Sequence, residues 1–265
     1  MNKMPSKSEL KKFMEAAVAV ASGAGRLLLK AEKGRSKIQY KGRVNLVTGA
    51  DLASEDYIVK SIGRKFPDHS ILAEEGSSNR KSSNFRWVID PLDGTTNYAH
   101  GFPFYCVSIA LEFKKDIVAG AVYDPQRDEM FHAFLSGGAF LNGKRIHVSN
   151  EQKLEKSLLA TGFPYDIGSS RENNLKYFNR FARKARGIRR AGSAALDLCY
   201  LACGRFDGFW ELKLHPWDTA AGKLIVEGAG GRVTDFEGRT YSINGKYILA
   251  SNGKIHGRMK KVLRG

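Results

Sequence analysis

The chain has 265 residues, 42% of them hydrophobic and 26% charged, with 43 Lys and Arg against 27 Asp and Glu for a formal net charge of +16. This is room for one large domain or two small ones around a shared core, and the composition is that of a soluble globular protein. No apolar run reaches the roughly 18–20 residues of a membrane span, the polar N-terminus lacks the apolar stretch of a secretory signal, and the three cysteines are too few and too scattered for a disulfide framework, so a cytoplasmic location without membrane contact is expected.

In chain order, residues 8–30 place Phe13, Ala17, Val20, Ala24, Leu27 and Leu28 near helical spacing, which predicts an amphipathic helix. A second helix is expected after Asp51, capped by that residue, with Leu52, Ile58, Val59 and Ile62 on its buried side. Two short apolar runs follow, Ser70–Ala73 and residues 86–89, each ending in acidic residues. Residues 104–113, 117–123 and 129–134 then read as strands joined by short polar turns, an antiparallel meander. Beyond residue 150 the pattern alternates. Strands are expected at 158–161, 188–190, 206–211, 232–235 and 247–250, and helices at 171–185, 194–203 and 219–229. Such alternation indicates layered packing of sheets and helices. The expected class is α+β, with an N-terminal α+β half (1–149) and a C-terminal α/β half (150–265). No flexible linker separates the halves, so they should pack as one unit.

The segment that carries chemistry is Trp87-Val88-Ile89-Asp90-Pro91-Leu92-Asp93-Gly94-Thr95-Thr96-Asn97. An apolar strand runs into the core and stops at Asp90, because Pro91 cannot donate to a ladder. Asp93-Gly94-Thr95-Thr96 can then turn into a helix start. Two carboxylates and a set of free backbone N–H groups thus meet at one spot. Mg²⁺ takes oxygen ligands, and a helix N-terminus suits a phosphate. Metal, phosphate cradle and a nearby hydroxyl are the parts of metal-assisted phosphate hydrolysis. Asp, Gly and Thr also occupy turns for purely local reasons. Two further acidic sites weigh against that plainer explanation: Glu74-Glu75-Gly76 after an apolar run, and Trp217-Asp218 ahead of the small-residue run Thr219-Ala220-Ala221-Gly222. Each puts a carboxylate at an element boundary, where functional residues concentrate.

Five segments, in order, resemble the inositol monophosphatase family, within the superfamily of Mg²⁺-dependent, lithium-sensitive sugar phosphatases. They are Leu46-Val47-Thr48-Gly49-Ala50-Asp51, Ala73-Glu74-Glu75-Gly76, residues 87–97, Gly192-Ser193-Ala194-Ala195-Leu196-Asp197, and Trp217-Asp218-Thr219-Ala220-Ala221-Gly222. The resemblance implies a layered α/β/α/β/α fold, a homodimer and Mg²⁺ as cofactor. By the same resemblance, Glu74, Asp90 and the Leu92 carbonyl would hold a first ion. Asp90, Asp93 and Asp218 would hold a second, and Glu74 would help to hold a weaker third. Asp51 and Thr95 would pair beside the attacking water. The N–H groups of Gly94 and Thr95 would contact phosphate, and Ser193, Ala194 and Glu211 would face the alcohol, Glu211 binding hydroxyls. Water would attack directly in line, its proton taken by Thr95 with Asp51 or by Glu74. Phosphorylation of Asp90 is the alternative course, opposed by the poor nucleophilicity of a carboxylate shared by two ions.

Inositol 1-phosphate is the expected substrate class. The run Thr95-Thr96-Asn97-Tyr98 resembles the inositol phosphatase branch, and Gly162-Phe163-Pro164-Tyr165 resembles bacterial members more than animal ones. Fructose-1,6-bisphosphate, 3′-phosphoadenosine nucleotides and NADP are the alternatives within the superfamily. An RNA or transcription-complex partner is the alternative outside catalysis. Basic residues crowd stretches 30–43, 171–190 and 254–264, which would let a polyanion or an acidic protein bind weakly. His100, His132, His147, His215 and His256 show no ligand spacing, and Cys199 and Cys203 read as small buried apolar groups. Arg189 or Arg190 would reach either a substrate anion or a surface partner.

Overall fold

The computed structural model describes residues 3–33, 38–40 and 46–265. Residues 34–37 and 41–43 of the predicted basic stretch 30–43 lie outside these. The first helix, α1, runs Lys7–Lys33. Its start is a reciprocal cap: the Glu9 carboxylate accepts from the Ser6 backbone N–H at 2.8 Å, while the Ser6 hydroxyl accepts from the Glu9 N–H at 3.3 Å. Leu10, Met14, Ala17, Val20, Ala21, Ala24 and Leu28 form its buried face, as helical periodicity predicts. Strands β1 (Ile38–Tyr40) and β2 (Leu46–Thr48) pair antiparallel and lead into α2, Gly49–Lys65.

The phase of α2 differs from the expectation. The helix starts two residues before Asp51, so Asp51 sits in the first turn and does not cap it. Leu52 faces solvent at 49% exposure, while Asp51, Ser54 and Glu55 are buried beside Ile58 and Ile62. Hydrophobic patterning assigns polar residues to the outside. Here the polar part of the helix is the part turned toward the candidate site.

A seven-stranded sheet follows in the order β3-β4-β5-β6-β7-β8-β9. Its members are Ser70–Ala73, Phe85–Asp93, Cys106–Phe113, Asp116–Asp124, Glu129–Phe134, Gly138–Leu141 and Lys144–Arg145. Only β3 and β4 are parallel, in register Ala73↔Ile89, so the residues just beyond, Glu74 and Asp90, emerge side by side. Strand β4 does not stop at Asp90, as Pro91 suggests. Its pairing with β5 slips between Asp90 and Asp93 and resumes at Asp93↔Cys106. The bulge takes up the residue that cannot donate and re-aims the chain, a usual role for bulges beside functional sites.

The second sheet has five strands in the order β11-β10-β12-β14-β13: Gly187–Arg189, Leu158–Thr161, Gly208–Leu212, Tyr247–Ser251 and Arg232–Thr234. Short α3 (Thr95–Ala99) lies next to the site. Helices α5 (Ala194–Ala202) and α6 (Pro216–Gly228) lie between the sheets. Helices α1 and α2 cover the outer face of the first sheet, and α4 (Leu175–Ala182) and α7 (His256–Arg264) that of the second. The architecture is therefore the expected α+β fold in α/β/α/β/α layers. Helix α4 is shorter than the predicted 171–185, because residues 162–174 form an irregular loop whose Asn and Ser side chains bond locally to the backbone. Among the described residues no helix is long and apolar enough to cross a membrane.

Candidate active site

One pocket takes in the ends of β3, β4 and β12, the start of α3, and the N-termini of α5 and α6. Glu74, Asp90, Asp93 and Asp218 line it, together with Leu92, Gly94 and Thr95. These residues come from three distant parts of the sequence. Asp51 lies behind the lining at 1% exposure, reached through Thr95, whose hydroxyl stands 3.1 Å from both the Asp51 carboxylate and the Leu92 carbonyl.

Asp90, Asp93 and Asp218 are each aimed by a hydrogen bond to their surroundings. Asp90 Oδ1 accepts from the Leu92 N–H at 3.0 Å across the bulge. Asp93 Oδ2 accepts from the Ser193 hydroxyl at 2.6 Å and the Ala195 N–H at 2.7 Å, which ties the first sheet to the start of α5. The Ser193 hydroxyl is therefore turned toward Asp93 while it also caps α5 through the Leu196 N–H. Asp218 accepts from the His215 N–H at 2.6 Å in the first turn of α6, and His215 stacks on Trp217 with ring centroids 4.9 Å apart. Glu55 holds the loop after β3, accepting from the N–H groups of Glu75 at 2.7 Å and Ser77 at 2.9 Å.

Burial raises the whole set, and the charge of acidic neighbours adds to it at Glu74, Asp90 and Asp218. Burial, then the charge of Glu75, pushes Glu74 up to about 7. Burial pushes Asp93 up to about 6 against the opposing bonds from Ser193 and Ala195. Asp90 and Asp218 stand well above the ordinary carboxylate range, chiefly through burial and then through their acidic neighbours. Burial, then the charge of Asp93, lifts Glu211 to about 8. A concentration of buried carboxyls raised in this way, in a pocket, marks a candidate functional site. The donors are carboxylate and carbonyl oxygens, the chemistry that Mg²⁺ selects over sulfur and imidazole. Among the described residues no group of three or more His, Cys, Asp and Glu side chains is gathered closely enough to hold a metal ion as it stands.

Gly94 has φ +98°, and a Cβ there would stand 2.9 Å from the Phe104 carbonyl, so only glycine fits at the entry to α3. Asn97 secures that turn by donating to the carbonyls of Phe104 at 2.7 Å and Ala191 at 2.8 Å. Ala194 and Glu211 also line the pocket, with Arg190 and residues 162–165. Arg189 does not line it.

Sequence reasoning passed over Ser54, Glu55 and Asn174, and singled out Gly162 and Asp197 only as members of matched segments, with no role of their own. Asp197 is the most telling of these. It lines the pocket, its Oδ1 is buried without a partner, and burial holds its carboxyl well above the ordinary range. A lone acid within the apolar run of α5 was the available signal. Cys199 packs in the core as expected. His69, which the pattern reading passed over, stacks against Phe66 and Phe85 in an aromatic cluster away from the pocket.

The fold and pocket together define a phosphatase of the sugar-phosphatase type, and the comparisons with known proteins agree. Residues 9–264 match the inositol monophosphatase family, and the chain belongs to that family. It is 45% identical over 260 residues to an inositol-1-monophosphatase from Synechocystis, covering 97% of this chain and 91% of the relative. A putative Nus factor SuhB from Neisseria meningitidis is 39% identical over 254 residues, covering 95% and 97%. Among solved structures, an inositol monophosphatase from Anabaena superposes with a TM-score of 0.89 at 42% identity, covering 97% of this chain and 96% of its own.

Proposed function

We propose that the protein hydrolyses inositol 1-phosphate or a related small polyol phosphate with Mg²⁺ as cofactor. The observation that carries this reading is the convergence of Glu74, Asp90, Asp93 and Asp218 on one pocket that also holds Thr95 and Glu211. Glu74, Asp90 and the Leu92 carbonyl would hold one ion, and Asp90, Asp93 and Asp218 another. When bound, Mg²⁺ supplies positive charge against the phosphate oxygens and lowers the pKa of water.

The protein's own groups do the rest. The Gly94 and Thr95 N–H groups, at the start of α3, bind phosphate oxygens. Thr95 donates its proton to Asp51, which leaves its oxygen lone pairs to accept from the attacking water. Glu74, which leaves β3 beside Asp90, is the second group placed to take that proton. Glu211 and Ala194, in the same pocket lining, face the alcohol that departs. Glu211, lifted to about 8, holds a proton at neutral pH and can exchange hydrogen bonds with a polyol hydroxyl. The Synechocystis relative's name supports the choice of substrate class.

The deciding experiment is release of inorganic phosphate, with and without Mg²⁺, from inositol 1-phosphate, fructose 1,6-bisphosphate, 3′-phosphoadenosine 5′-phosphate and NADP. Fastest turnover of the first is expected. Fastest turnover of a nucleotide would overturn the substrate class.

Several properties accompany this reading. Lithium should inhibit, and the location should be cytoplasmic. Phe102, 53% exposed, lies with Phe104, Leu158, Tyr200 and Phe206 in an apolar depression suited to a second copy of the chain, which supports a homodimer. The chain reads as two halves, 1–149 and 150–265, packed as one unit. The burial of α6 against strands of the first half supports this. A second reading, an RNA or acidic-protein partner role, draws on the +16 charge and on the Nus factor named among the relatives. It is compatible with catalysis.

A further inference from the structure

We propose that Asn174 is a positioning residue that sets the preference for polyol leaving groups, acting through the Gly162 peptide on Glu211; this rests on the phosphatase reading above. Asn174 is fully buried, and its amide is used on both sides. Nδ2 donates to the Thr161 hydroxyl at 2.7 Å and to the Gly162 carbonyl at 2.5 Å. Oδ1 accepts from the Trp210 indole N–H at 2.7 Å. One side chain thereby joins the end of β10 to the β12 residue immediately before Glu211. The adjacent strands are parallel in register Thr161↔Trp210, and the Thr161 hydroxyl donates to the Trp210 carbonyl at 2.5 Å. Trp210 is itself fixed, buried and stacked on Phe181 at 4.1 Å.

The coupling to Glu211 is direct. The Gly162 N–H donates to the Glu211 carboxylate, and a Cβ on Gly162 would stand 2.2 Å from Glu211 Oε1. Gly162 therefore presents its N–H to Glu211 while Asn174 holds the carbonyl of the same residue. Asn174 also closes the loop that begins at Gly162, and that loop carries Phe163, Pro164 and Tyr165 to the pocket wall. The loop has other ties: Lys213 to Asp166 at 2.6 Å, and Glu172 to Lys246 and Tyr247. The two ion pairs are solvent-exposed, where ion pairs fix little. The amide lies in an apolar surrounding, where an unmade hydrogen bond is expensive. Asn174, and not the exposed pairs, thus fixes the alcohol side of the pocket. The metal-binding carboxylates have their own supports in Glu55, Ser193, Ala195 and His215.

The test compares kcat and KM for inositol 1-phosphate and for p-nitrophenyl phosphate, which has no hydroxyl to lose. Asn174→Asp keeps the shape and the acceptor for Trp210 but places an oxygen against the Gly162 carbonyl. We expect kcat/KM for inositol 1-phosphate to fall at least tenfold, and that for p-nitrophenyl phosphate to fall less than about threefold. Gly162→Ala, which displaces Glu211 directly, should reproduce the split if the Asn174 variant folds poorly. In a Glu211→Ala background, Asn174→Asp should have no further effect on the polyol substrate. Equal proportional losses on both substrates, or additive losses with Glu211→Ala, would overturn the positioning role while leaving the phosphatase reading intact. A wild-type protein that releases phosphate from neither substrate would overturn both.

Discussion

At the scale of single residues, three of the pocket carboxylates, Asp90, Asp93 and Asp218, are held in direction by hydrogen bonds from the protein itself. Asp93 shows this best, since its Oδ2 is already held by Ser193 and Ala195. Asp93→Asn keeps the shape and an acceptor for those donors but removes the charge. Phosphate release at saturating Mg²⁺ should then fall at least tenfold, and the protein should still fold, because loss of preorganised charge at the reacting centre costs several kcal/mol. Steady-state turnover and circular dichroism of the variant check both halves. Glu211→Ala should reduce kcat/KM for inositol 1-phosphate more than for an aryl phosphate; equal loss would give Glu211 a purely structural place. The carboxylates were legible in the sequence because Asp90, Asp93, Glu74 and Asp218 sit at element ends in recognisable runs. Glu55 and Asn174 were not, because their work is done on backbone groups brought near only by the fold. A polar residue that bonds to a distant carbonyl or N–H leaves no spacing in the sequence.

At the scale of elements, the strands were easier to read than the helices that border the site. The meander alternates with short polar turns, and its boundaries differ from prediction by two residues or fewer. Helix α2 was harder, because patterning sends charge outward and this helix buries Asp51, Ser54 and Glu55 to support the 74–77 and 91–95 loops. The bulge in β4 was misread for a related reason: Pro91 does break the ladder, but pairing resumes beyond it. The contact of α6 with the first sheet relies on small residues. A Cβ on Gly120 of β6 would lie 3.2 Å from Ala221 Cα. Gly120→Val should therefore force the helix off the sheet and lower stability by about 1–3 kcal/mol, the usual cost of overfilling a packed core. Urea denaturation gives the value directly. A change within about 0.5 kcal/mol, the range of an ordinary surface substitution, would mean that the contact yields easily.

At the scale of the whole molecule, two electrostatic features oppose each other. The surface carries a large positive excess, while the pocket gathers carboxylates raised by burial and by one another: Asp93 to about 6, Glu74 to about 7, Glu211 to about 8, and Asp90, Asp197 and Asp218 well upward. An unfolded carboxylate titrates near 4. Between about pH 4 and pH 8 the metal-free pocket therefore holds more protons than the same groups do in the unfolded chain, and its contribution to stability falls as pH rises through this window. The pocket's contribution is fully present below about pH 4 and is lost as the folded carboxyls ionise. The surface excess acts in the opposite sense, since cation repulsion eases as pH rises. Comparing the protein with and without Mg²⁺ at the same pH removes most of that surface contribution. Mg²⁺ binds the ionised form and must displace the protons, so the stabilisation it confers should grow with pH. The thermal midpoint in EDTA, subtracted from that in saturating Mg²⁺, should be small at about pH 5.5 and clearly larger at about pH 8, with the change concentrated where the pocket carboxyls titrate. Asp93→Asn should flatten the difference. A gap independent of pH in the unaltered protein would mean that these carboxylates are not what holds the ion.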